Sequence, residues 1–241
     1  MVVVSSAQPR IVGVSVSNWF KYGTVDVSWS SNDPNATFPP YGYEWLKEQN
    51  ETEWLLLSVT EVSGTNITCQ ATMHFKNGTE KIEGGNINID TGDGNMTFMA
   101  VSANLGPNDT IYTSGPRSFF TINETVVRAY PDSVRETNHL NTTFEYSWTV
   151  NETQCYERDD AIFYWDRSTG ILVEDIFGGI NRTGDYLTTW SSLTRITESN
   201  VWAIPEFHTW GSALILFVIL TSTIVVYKRK ARAPSNLVLS H

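Results

Sequence analysis

Along most of the chain, apolar and polar residues alternate with a period of two. In TVDVSWS, Val25, Val27 and Trp29 fall on one side and Thr24, Asp26, Ser28 and Ser30 on the other, as in a strand with one buried face. NITCQATMHF repeats the pattern with Ile67, Cys69, Ala71, Met73 and Phe75 directed inward, and TTFEYSWTV does so with Phe144, Tyr146, Trp148 and Val150. Turn chemistry separates these runs. Asn77-Gly78 is a strong hairpin signal between two strand candidates. FYWDRSTGILVE predicts strand, turn, strand, with Asp166 bonded to the turn backbone and Gly170 at positive φ. Helical character is confined to a short turn over residues 43–49. The pattern therefore predicts an all-β fold of antiparallel sheets, arranged as a sandwich or a partly open barrel, with a subdomain division near Ser114 to Arg117.

One segment departs from the alternation. Trp210 to Tyr227 is 18 residues without a charge, about 27 Å as a helix against a hydrocarbon core of about 30 Å. It reads as a single C-terminal transmembrane helix, apolar on every face. Lys228, Arg229, Lys230 and Arg232 follow it, so the positive-inside rule places the tail in the cytoplasm and the N-terminal part outside. The chain is thus expected to divide into residues 1–7, 8–203, 204–227 and 228–241. The first of these, with Val2 to Val4 and small residues at Ser5 and Ala7, reads as the end of a signal peptide or as a frayed terminus.

Composition fits an exterior location. All 26 acidic residues precede the apolar run, whereas four of the 16 basic ones follow it, and such an acidic surface disfavours nucleic acid as a partner. Ten N-x-[ST] triplets occur, at Asn35, Asn50, Asn66, Asn77, Asn95, Asn108, Asn123, Asn141, Asn151 and Asn181, against roughly four expected from the Asn, Ser and Thr content. The excess predicts N-glycosylation. The two cysteines, Cys69 and Cys155, suit an oxidising compartment as a disulfide, although Cys69 on an apolar strand face equally suits a buried free thiol.

Signals for chemistry are weak. Asp90-Thr91-Gly92 has the letters of an aspartic-protease loop, but no second such loop follows, and a turn explains the same residues. Asp90, Asp93 and Asn95 offer oxygens to a divalent metal without an EF-hand pattern. His74, His139, His208 and His241 are scattered, and no zinc, nucleotide or serine-hydrolase motif occurs. Among Glu145, Glu152, Glu157, Asp159 and Asp160, a glycosidase pair requires the fold to bring two together. No cofactor is implied.

The triplet Pro205-Glu206-Phe207, followed by the apolar span and the Lys228 to Lys230 basic stop, resembles the PEF-type C-terminal sorting signal of archaeal surface proteins. That resemblance implies an archaeosortase-type membrane transpeptidase as a partner at the tail, with the span either retained as an anchor or removed. SNWFKYG, YWDRSTGILVE and ITESNVWAIPEF resemble segments of uncharacterised archaeal secreted proteins sharing such a tail. Nine residues, Ala233 to His241, extend beyond the usual end of such signals. The expected function is that of a non-enzymatic, membrane-anchored, glycosylated surface protein with a structural, adhesive or ligand-binding role. Two other classes remain open. One is a carrier or chaperone for apolar molecules with an aromatic-lined cavity, and the other is a secreted hydrolase.

Overall fold

The computed structural model describes residues 9–40, 42–131 and 133–202. The expected signal-peptide remnant, the Pro205-Glu206-Phe207 triplet, the apolar span and the Lys228-Arg229-Lys230 cluster lie outside the described residues. Among the described residues no helix is long and apolar enough to cross a membrane.

Among the described residues, nine strands and one helix follow in the order β1 (Trp19–Ser31), α1 (Trp45–Glu51), β2 (Thr52–Ser63), β3 (Asn66–Phe75), β4 (Glu80–Asn88), β5 (Glu124–Tyr130), β6 (Ser133–Val150), β7 (Thr153–Asp166), β8 (Leu172–Thr183) and β9 (Tyr186–Ser199). All strand pairs are antiparallel, as expected. The arrangement is neither a sandwich nor a barrel, however. The strands form one open sheet in the order β4-β3-β2-β1-β9-β8-β7-β6-β5.

A lone sheet needs a second layer to bury its apolar face. Residues 89–123 supply it, running from one edge strand to the other across that face. Ile89, Val101, Leu105, Ile111, Tyr112 and Ile122 of this connection are buried in one core with Phe20, Leu57, Ile67, Phe163, Trp165 and Ile196 of the sheet. Backbone bonds fasten it at several points, among them Val101 N to Gly170 O at 2.9 Å, Ile89 N to Thr65 O at 2.9 Å and Asn123 N to His139 O at 2.8 Å. Ser114 to Arg117 lies inside this layer, and everything up to Trp202 forms one compact unit, so no subdomain boundary falls there. The other end of the same face is covered by α1, whose Leu46 is fully buried.

The turns follow the sequence closely. Gly78 and Gly170 have φ of 83° and 74°, and Asp166 Oδ1 accepts from Ser168 N at 2.8 Å and Thr169 N at 3.2 Å. A side chain at Gly170 would meet Val101 O at 2.1 Å, so glycine also allows the connection to close onto the β7–β8 turn. In β1, a register shift around Gly23 places Val25 opposite Thr194. Cross-strand partners share a face, so this shift turns Val25 and Val27 to the same side as Tyr22.

Alternation misleads in β6. Phe144, Tyr146, Trp148 and Val150 do share one face of that strand, but they remain 37–54% exposed. The connection reaches Phe144 through Phe120, ring centroids 6.2 Å apart, and Tyr43 meets this face at Glu157 and Asp159, but Tyr146, Trp148 and Val150 beyond them stay 41–54% exposed. The disulfide is not formed either, and Cys69 and Cys155 are both buried free thiols. They lie on β3 and β7, five strand steps apart or about 24 Å along the sheet, whereas a disulfide needs Cα atoms within about 7 Å. Burial pushes the Cys69 thiol up to about 11, leaving it unreactive at neutral pH.

Candidate functional site

Between α1 and the connection, a strip of the sheet face is left uncovered. The register places a row of side chains along it. Lys81 pairs with Met73, Met73 with Leu55, Leu55 with Tyr22, Val25 and then Asp175 with Thr194, and Asp175 with Phe163. Because partners across antiparallel strands face the same way, this row runs across the strands on one face; Tyr22 and Phe163 are buried in the core, and the more open members border a transverse groove.

The groove has two deep regions. One is a cavity of about 520 Å³ lined by Val25, Leu55, Met73, Trp45 and Phe177 together with the polar Gln49, Thr194 and Asp175. The other, about 390 Å³, lies beneath Phe98 and Phe119 of the connection, against Phe144, Phe163 and again Phe177. Phe177 thus separates two neighbouring compartments. Its ring meets Trp45 edge-on at 5.8 Å and Phe163 edge-on at 5.3 Å, and Trp45 packs edge-on against Trp190 at 5.5 Å. These volumes fall in the range of small-molecule sites.

Polar groups in the first compartment are few and specific. Gln49 Nε2 donates to Thr194 Oγ1 at 2.8 Å, while Gln49 Oε1 and Asp175 Oδ1 are sealed from solvent without a hydrogen-bond partner. Burial pushes the Asp175 carboxyl up to about 7, and hydrogen bonding by Thr194 offsets part of the rise. At the rim, Lys81 Nζ lies 2.9 Å from Glu48 and 3.0 Å from Glu83. The sequence holds a signal for this site that alternation alone does not rank. In β8, Val173, Asp175 and Phe177 occupy alternate positions, which sets a carboxylate on an otherwise apolar face.

The other candidates are dispersed. Asp90 Oδ1 accepts from Thr113 Oγ1 at 2.5 Å, Asp93 Oδ2 from Thr91 Oγ1 at 2.7 Å, and Asn95 bridges the β4 edge through Asn86 N and Gly84 O. Their oxygens are thus committed to separate partners, in a turn where Gly92 and Gly94 have φ of 76° and 127°. No group of three His, Cys, Asp or Glu that could hold a metal ion occurs among the described residues. His74 stacks on Trp54 at 4.8 Å on the reverse face. His139 stacks on Tyr164 at 4.8 Å, and His208 and His241 lie outside the described residues.

Of the five acidic residues considered as a hydrolytic pair, the fold brings Glu157 and Asp159 together. Both lie within hydrogen-bond distance of the Tyr43 hydroxyl, Asp159 at 2.8 Å, whose single proton serves one carboxylate at a time. Burial raises the Asp159 carboxyl above the usual range, and the Tyr43 bond opposes that. Asp160 pairs with Arg158 at 3.0 Å, Glu145 accepts from Tyr156 at 3.1 Å, and Glu152 occupies the β6–β7 turn with φ of 66°.

Nine of the ten sequon asparagines are exposed, and Asn181 is half-buried. Asn181 and Asn35 line a separate polar cleft of about 320 Å³. No sequon asparagine lines either compartment of the groove. Compared with known proteins, the chain matches no family model and no curated sequence, and its function is read from this geometry.

Proposed function

We propose that this is a membrane-tethered, N-glycosylated binding protein of the archaeal cell exterior, holding a small, largely apolar molecule in the transverse groove without catalysis. The carrying observation is the groove itself. A cavity of about 520 Å³ with aliphatic and aromatic walls remains open between two covering segments, where a purely structural domain would close its core. The sequons support the reading because carbohydrate on any of them would start outside the groove lining. The tether is carried by the sequence from Pro205 to Lys230, whether the span is kept or handed to a transpeptidase.

Binding is tested by fluorescence titration with 2-naphthylmethanol, a neutral apolar probe. Saturable one-to-one binding is expected, weakened at least about tenfold by Met73→Trp, which fills the first compartment. Equal binding by that variant, together with an unchanged Trp45 environment on addition of probe, would exclude the groove.

Glycosylation is tested on protein from the native host by glycopeptide mass spectrometry. If modification acts on the folded chain, Asn181 should show the lowest occupancy, because its side chain sits in the polar cleft beside Thr183. A native mass equal to that of the bare polypeptide would remove the glycoprotein reading.

A further inference from the structure

The polar groups in the first compartment specify more than an apolar guest. Gln49 bonds the Thr194 hydroxyl through its amide at 2.8 Å, and Asp175 is the cross-strand partner of Thr194. Their remaining oxygens, Asp175 Oδ1 and Gln49 Oε1, are both buried acceptors lacking donors. A buried acceptor left without a donor is costly, and both lie among the cavity-lining residues. Both oxygens are closed to water in the empty cavity, so a ligand reaches them by shifting the side chains over them, and one that does so gains by bringing N–H or O–H donors.

Charge decides between these. The one cationic side chain of the lining, Lys81, is already held by Glu48 and Glu83 at 2.9 and 3.0 Å. Two carboxylates against one ammonium leave the rim negative, and Asp175 adds a third carboxyl beneath it. A cationic head is attracted into such a cavity, and an anionic one is repelled.

We propose that the groove selects a ligand whose apolar body carries a primary ammonium group, with Asp175 as its counter-ion and Gln49 Oε1 as a second acceptor. The ammonium has three donors and no acceptor, matching Gln49 Oε1 and the ionised form of Asp175, which a nearby cation favours over the protonated one. The apolar body lies against Leu55, Met73 and Phe177. This rests on the binding reading above and names its ligand class.

The test compares three probes of one shape with the full-length chain at pH 7: 2-(aminomethyl)naphthalene, 2-naphthylmethanol and 2-naphthoate. The amine is expected to bind at least about tenfold more tightly than the alcohol, with the carboxylate weakest. Asp175→Asn should bring amine and alcohol to within about threefold of one another. If the alcohol or the carboxylate equals the amine on the native chain, ammonium selection is overturned while the groove reading stands. If none of the three binds, both are overturned. An amine preference that survives Asp175→Asn would remove Asp175 as the counter-ion.

Discussion

Asp166→Ala is expected to lower stability by about 3–5 kcal/mol, the cost of removing one partner from a buried charge pair. Asp166 is 1% exposed, and its Oδ2 accepts from Arg135 Nε at 2.8 Å. Its Oδ1 serves the Ser168 and Thr169 amides and the Ser168 hydroxyl, so the substitution also strips the β7–β8 turn of its internal bonds. The Arg135 side chain retains 24% exposure and can turn to water, which favours the lower half of that range. Urea unfolding measures the effect. Asp160→Ala, which removes an exposed pair with Arg158, should leave the midpoint nearly unchanged. Equal effects from the two substitutions would show that the turn does not depend on its buried carboxylate.

The second large effect depends on pH. Folding raises the Asp175 carboxyl from its ordinary value of 3.8 to about 7, so the folded chain holds a proton that the unfolded chain releases. Below about pH 4 the group is protonated in both states, and its burial carries no ionic penalty. As pH rises from 4 to 7, stability falls, by roughly 4 kcal/mol in all, because each tenfold difference in proton affinity between the two states is worth about 1.4 kcal/mol. Asp175→Asn removes this dependence. The variant should match the native chain near pH 4 and exceed it in stability at pH 8, and the difference between the two profiles cancels every other titrating group. Parallel profiles from pH 4 to 8 would show that the carboxyl is solvated in the folded protein.

What was legible in the sequence was local. Period-two runs located strands and told which residues share a face, and Gly78, Asp166 and Gly170 marked turns because positive φ and side-chain capping restrict the residues allowed. Alternation cannot report whether a face is covered. Tyr146 to Val150 therefore reads as core, although neither the connection nor α1 extends over it. The roof, residues 89–123, has apolar residues at irregular intervals, because an irregular segment conforms to the sheet beneath rather than to a period of its own. Nothing local distinguishes its Ile111 or Tyr112 from loop residues. The groove was hidden for the same reason, since it is the gap between two covers whose positions depend on contacts such as Val101 with Gly170 and Leu46 with the sheet. Asp175 was the exception, a charge on an apolar strand face that could have been noticed.

The central position of the first and last strands sets how the sheet responds to force. The first strand and the last, β1 and β9, are neighbours at the centre of the sheet, while both edges come from the middle of the chain. Asn200 ties the two ends together, through Trp19 N at 2.8 Å and Ser17 O at 3.0 Å. A pull on residue 202 along the axis of β9 would slide that strand against β1 and β8 together. The hydrogen bonds of an antiparallel ladder lie across the strands, so such a load falls on many of them at once instead of opening them one by one. A load applied at residue 202 along β9 is therefore resisted by two full ladders acting in parallel.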